Sequence, residues 1–85
     1  MVRFDGREII FVSDRAGSIG AQDLWVATRG EPGDPWDTPV NLAVVNTASA
    51  ELHPYLSPDG RTLYFSRRES GTPYLYVTTR TGPGW

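Results

Sequence analysis

The sequence predicts an all-β protein made of two successive, related β-meanders, and two observations carry that expectation. The first is internal repetition. Asp5-Gly6-Arg7 lines up with Asp59-Gly60-Arg61, and Ile9-Ile10-Phe11 with Leu63-Tyr64-Phe65, both 54 positions apart, while "DLWVATR" (23–29) lines up with "YLYVTTR" (74–80) at 51. The second is composition: the matched runs are short, rich in Ile, Val, Leu, Tyr, Phe and Trp, and bounded by Gly, Pro, Asp and Ser, which is how strands read. The three-residue difference in offset falls where "SDRAGSIGAQ" faces the shorter "RRESGTP". Length change confined to a Gly-bearing stretch between matched apolar runs is the behaviour of a hairpin loop.

Taken in order, the chain opens with a strand around 2–4 and a turn at Asp5-Gly6. A strand over 8–13 follows, then a hairpin and a strand over 24–28. A Pro/Gly-rich loop runs through Pro35 to a short strand at 39–42. The stretch "AVVNTASAEL" (43–52) is helix-permissive, but its Val-Val-Asn-Thr content favours a connection. The second copy then supplies strands over 54–57, 62–66 and 75–79. In "SPDG" (57–60) the proline presets φ for the first central turn position, and Asp and Gly tolerate the positions that complete a tight reversal, so Leu56 and Leu63 are expected to pair. Phe4 stands where the second copy has that proline.

Composition bounds the function. Eighty-five residues make one small domain, which buries about 60–65% of its unfolded surface and has a marginal core of its own. With no cysteine, disulfides and thiolate metal sites are ruled out. Eight basic against ten acidic residues leave a net charge of −2, which is no electrostatic footprint for nucleic acid or an anionic membrane. All eight basic residues are arginine, a bias that a GC-rich coding genome explains and that selection for planar hydrogen-bonding heads would also produce. No window approaches the ~20 apolar residues of a membrane span, and the first residues lack the pattern of a signal peptide.

A repeated four-stranded unit of about 40–50 residues is the signature of a β-propeller blade. The residues "PYLSPDGRTLYFS" followed by "LYVTTR", and "FDGREIIFVSDR" followed by "DLWVATR", resemble the WD-like propeller repeats of the TolB-like family. The resemblance spans nearly the whole chain as two units: 1–50 is the first blade and its connection, and 51–85 is a second blade that lacks its outermost strand. It implies a periplasmic or extracellular setting, since such repeats occur in periplasmic and cell-surface proteins of bacteria, as well as in the propeller domains of prolyl-oligopeptidase-like peptidases. Two departures stand out. Asp23, before the third strand, becomes Tyr74 in the second copy, and Ser13-Asp14-Arg15 becomes Arg67-Arg68-Glu69. If Asp23 anchors its turn, the second hairpin must close differently, and Thr72-Pro73 is the expected place.

Propellers close with about four to eight blades, so two cannot form a ring. The chain is therefore expected to associate head to tail with copies of itself, three chains giving six blades. The alternatives are a piece of a longer hydrolase propeller, of peptidase or glycosidase type, and a designed blade pair.

No catalytic residue is assigned. Among the carboxylates Asp14, Asp23, Glu51 and Asp59, those in turns (Asp59, and likewise Asp5) read as structural, and Asp23 reads as a turn anchor. Glu51, just before the expected innermost strand, and His53, the one histidine, are the candidates for a ligand at the channel mouth. In a ring they would recur around one axis, an arrangement suited to an anion or a metal, although one chain offers no His-based metal cluster and no metal or other cofactor is expected. Trp36 and Trp85, each a few residues past Arg29 or Arg80, are candidates for the loop face, where they would stack on a glycan or lid the blade edge. Trp25 and Tyr76, at equivalent strand positions, read as packing between blades. "SPDG" fails as a sialidase Asp-box because Gly60 directly follows Asp59, and there is no G-x-S-x-G elbow or phosphate loop. The expected role is a non-catalytic scaffold that binds protein, peptide or glycan.

Overall fold

A computed structural model of the chain describes residues 2–3, 5–82 and 84–85. It places six strands in two three-stranded antiparallel sheets. The first sheet holds β1 (Glu8–Ser13), β2 (Asp23–Thr28) and β3 (Val40–Asn41); the second holds β4 (Ala50–Leu56), β5 (Thr62–Glu69) and β6 (Thr72–Thr79). Among the described residues there is no helix, and 43–49 is a string of turns and bends. No helix is therefore long and apolar enough to cross a membrane. The strand expected around 2–4 is reduced to a single Val2–Ile9 bridge, and Phe4 lies outside the described residues.

The two copies of the Asp-Gly turn have the same backbone. The Gly60 N–H donates to Ser57 O at 2.8 Å with φ +73°, and the Gly6 N–H donates to Arg3 O at 2.8 Å with φ +74°. Both angles lie in the left-handed region that only glycine enters without cost. In each turn the aspartate accepts the backbone N–H two residues on, Asp59 from Arg61 and Asp5 from Arg7, both at 3.0 Å. Leu56 and Leu63 pair across the second turn.

The hairpins that follow close differently. In the first, the buried carboxylate of Asp23 accepts the N–H groups of Ile19 and Gly20 and the side-chain amide of Asn41, tying the loop to β3. Gly20 is dictated by space: a Cβ there would come within 2.5–2.8 Å of the carbonyl oxygens of Thr47, Ala48 and Ser49. In the second hairpin Thr72 and Pro73 belong to β6, and the reversal is made by Ser70 and Gly71, both left-handed at φ +50° and +81°. That correction has a simple cause: a two-residue reversal with positive φ at both central positions matches the twist of the flanking strands, so it needs no side-chain anchor.

The sheets stack face to back. Ile10 and Leu24, on one face of the first sheet, form the core with Leu56, Leu63 and Phe65 on one face of the second, together with Leu42 and Val45 from the connection. β4 is the strand that lies against β1 and β2. Each fully buried Leu or Ile contributes about 1.5–3 kcal/mol relative to exposure. At the edge of this core the buried Glu8 carboxylate is gripped by both terminal nitrogens of Arg80, at 2.9 and 2.5 Å, joining the first turn to the end of β6.

Two stability changes follow. Glu8→Ala removes the carboxylate that receives both terminal nitrogens of the buried Arg80 and is expected to cost about 3 kcal/mol, read as a shift of the urea midpoint. Ser70→Asn suits the left-handed position better and is expected to raise stability by about 0.5 kcal/mol in the same titration.

Candidate functional site

Glu51 and His53 stand two residues apart on β4, yet they meet different surroundings. Glu51 is completely buried: Oε1 accepts the Thr47 N–H at 2.9 Å, while Oε2 accepts the Thr47 hydroxyl at 2.8 Å and Arg67 Nε at 3.0 Å. Arg67 in turn donates from Nη2 to Val45 O at 2.7 Å. The carboxylate thus clamps the 45–49 connection onto the second sheet and presents no oxygen to solvent. His53 is exposed, with φ +53°, in the irregularity that shifts the β4–β5 register between Leu52 and Tyr55, and its Nδ1 sits 3.1 Å from Ser66 Oγ. Pro54 occupies the same irregularity, where a missing N–H costs the ladder nothing. Among the described residues no three His, Cys, Asp or Glu side chains are grouped to hold a metal.

Trp36 and Trp85 have matching places. The guanidinium of Arg29 lies 4.0 Å from the Trp36 ring centre and that of Arg80 4.2 Å from the Trp85 ring centre. Each arginine also donates Nε to the carbonyl of the turn glycine, Arg29 to Gly6 and Arg80 to Gly60, both at 2.7 Å. Both indoles are half-buried. Trp85 packs on the core, whereas Trp36 is not among the described residues packed against it.

A second matched set covers the sheets themselves. Arg15 lies over Phe11 and Trp25 at 5.0 and 5.4 Å, and Arg67 over Phe65 and Tyr76 at 5.6 and 4.3 Å. Among the described residues Arg15, Arg29, Arg67 and Arg80 therefore each hold the guanidinium carbon over an aromatic ring, a cation–π arrangement.

Of the remaining carboxylates, Asp5 and Asp59 anchor turns, Glu31 pairs with Arg7 at 3.4 Å, and Glu69 accepts the Tyr76 hydroxyl. Asp14 is exposed. The hydroxyl of Ser57, then the N–H of Arg61, hold the Asp59 carboxyl below the ordinary aspartate range. Arg3 Nε, at 2.8 Å, does for Asp5 what Ser57 does for Asp59, and with the Arg7 N–H it lowers that carboxyl too. Shallow polar clefts of about 230 and 250 Å³ run between these turns, lined by Arg3, Asp5, Asp59, Arg61 and Arg80.

The sequence did not point to Glu8, Asn41, Asn46, Thr47 or Arg67. Asn46 replaces a strand: its Oδ1 accepts the Leu24 N–H at 2.9 Å and its Nδ2 donates to Leu24 O at 2.8 Å and to Asn41 Oδ1 at 2.9 Å. The signal for Glu8 was present as a mismatch between the copies, since Thr62 occupies the equivalent position. Comparison with protein-family models, with curated proteins and with solved structures finds no match.

A carboxyl whose folded value lies below its unfolded value stabilises the fold above the unfolded value, and that stabilisation is lost as pH falls through the folded one. Asp59→Asn is therefore expected to be less stable than the parent chain at neutral pH, with the difference shrinking as pH falls through the lowered folded-state value, in urea titrations repeated across pH.

Proposed function

We propose that the chain is a pair of blades of a non-catalytic β-propeller scaffold, which completes its ring with copies of itself, three chains giving six blades. The observation that carries this reading is the face-to-back stacking of the two related sheets: one face of the first lies on the opposite, repeat-related face of the second. Repetition of one such step is a rotation, and rotations that close make rings. The resemblance of the repeats to those of the TolB-like family supports the same architecture. The buried carboxylates support binding over catalysis, because those of Glu8, Asp23 and Glu51 are engaged within the chain.

In this reading Glu51 props the inner strand from behind, and His53 on its exposed irregularity is the group nearer a ligand. The ligand class is protein, peptide or glycan, met at the channel mouth or at the loop face that carries Trp36 and Trp85. Light scattering tests the ring: a solution mass three times that of the chain is expected, and a monomer at every concentration sinks the reading.

A further inference from the structure

The geometry points to a head-to-tail interface between copies of this chain in which the exposed face of the second sheet, carrying Tyr55, Tyr64, Leu75 and Val77, receives the Phe11–Trp25–Trp36 face of the first sheet of a neighbouring copy. The inference rests on the propeller reading and specifies its contacts.

The second sheet has two unlike faces. On one, Leu56 lies opposite Leu63 and Phe65 opposite Tyr76, and Leu56, Leu63 and Phe65 are buried. On the other, Tyr64 lies between Tyr55 and Val77, with Leu75 further along β6. These four are 52%, 40%, 57% and 77% exposed in the order Tyr55, Tyr64, Val77, Leu75. Four large apolar side chains on one sheet face make a patch of the kind that marks an interface.

The repeat identifies the occupant. At offsets of 54 and 51, Tyr64 corresponds to Ile10, Leu75 to Leu24 and Val77 to Val26. Ile10 and Leu24 are buried in the core, and Val26 packs against it. The exposed face is thus the repeat-related equivalent of a face already covered inside the chain. What covers that face is the side of the second sheet bearing Phe65 and Tyr76, with Trp85 packed beside it. The equivalent residues of the first sheet are Phe11, Trp25 and Trp36, of which Trp25 is buried beneath the Arg15 guanidinium while Phe11 and Trp36 are half-buried and present the contact surface. One chain therefore contains one completed junction and both halves of a second. A single chain cannot join its own two halves, whereas a second copy can.

Charge marks one difference between the two junctions. In the completed junction Glu8 receives both terminal nitrogens of Arg80. In the junction between copies the corresponding arginine is Arg29, whose Nη1 donates to Asp34 O at 3.3 Å, and the residue facing it is Thr62. Thr62 offers no charge, so the interface is expected to be weaker than the internal junction. It is also expected to improve when an acid is supplied there.

The test compares light-scattering masses across protein concentration for the parent chain, Leu75→Glu, Val77→Glu, Thr62→Glu, Thr62→Gln and Thr62→Lys, with circular dichroism as the check on folding. All of these positions face outward or are only half-buried, so each variant is expected to keep the sheets. Leu75→Glu and Val77→Glu should each raise the dissociation constant more than tenfold, since a charge would be placed in an apolar contact. Thr62→Glu should lower it about fivefold, Thr62→Gln should leave it within about twofold, and Thr62→Lys should raise it. If the parent forms the three-copy ring but Leu75→Glu and Val77→Glu associate as tightly, the proposed face is wrong while the ring stands. If Thr62→Lys associates as tightly as Thr62→Glu, the facing of Thr62 and Arg29 is wrong. A parent chain that stays monomeric at all concentrations overturns the ring and this interface together.

Discussion

The contact on which the rest of the structure depends is the one between the two sheets, and at its rim Glu8 reaches from the start of β1 to the guanidinium of Arg80 at the end of β6. Neither sheet has a core of its own. Three short strands bury little, and an isolated three-stranded sheet is at the lower limit of independent stability. Stacked, the two sheets share Ile10, Leu24, Leu56, Leu63 and Phe65, and the molecule is only 17 Å across its thinnest dimension, about two layers at the ~10 Å spacing of packed sheets. The ion pair adds direction to this non-directional apolar contact. A fork matched to a carboxylate fixes how one layer is rotated on the other.

Arginine is used here as a flat building element as much as a charge. Arg29 and Arg80 tie the turn glycine of their own sheet to a tryptophan, and Arg15 and Arg67 lie over the paired rings of β1–β2 and β5–β6. Arg15 and Arg67 are not equivalent in sequence, yet they cover equivalent ring pairs. Each sheet thus has an arginine over its ring pair, supplied from a different position. A small all-β chain without cysteine gains rigidity in this way, because the guanidiniums of Arg29, Arg67 and Arg80 bridge rings and carbonyls, and that of Arg15 bridges rings and the Ser13 hydroxyl.

Much of the candidate site was legible in outline and less so in detail. The repeats located Trp36 and Trp85 as equivalents, and both carry a stacked arginine. Glu51 was legible as a carboxylate at the entrance to an inner strand, but not as a fully buried one, because its partners Thr47 and Arg67 come from a turn-rich connection and from the next strand. Which way a side chain turns at a strand end is set by what lies over it, and pattern in a single strand does not encode that. The irregularity at His53 was hidden for the same reason: β4 runs from Ala50 to Leu56 rather than over the expected 54–57, and its register against β5 shifts between Leu52 and Tyr55.

The sequence by itself determined that the chain is built of strands, and it located β1, β2 and the two Asp-Gly turns. Local rules suffice where the information is local: β1 is found at the expected residues, Leu56 pairs with Leu63 across the Asp-Gly turn, and the apolar runs of the two copies become matching strands in two sheets. Tertiary structure alone decided which face of each sheet is covered. It also decided that Ser70-Gly71 closes the second hairpin and that Asn46 completes the edge of β2 with its side chain. The physical reason is that alternation along a strand divides residues between two faces without saying which face another layer will cover, and that choice is made by contacts between residues as distant in the chain as Glu8 and Arg80.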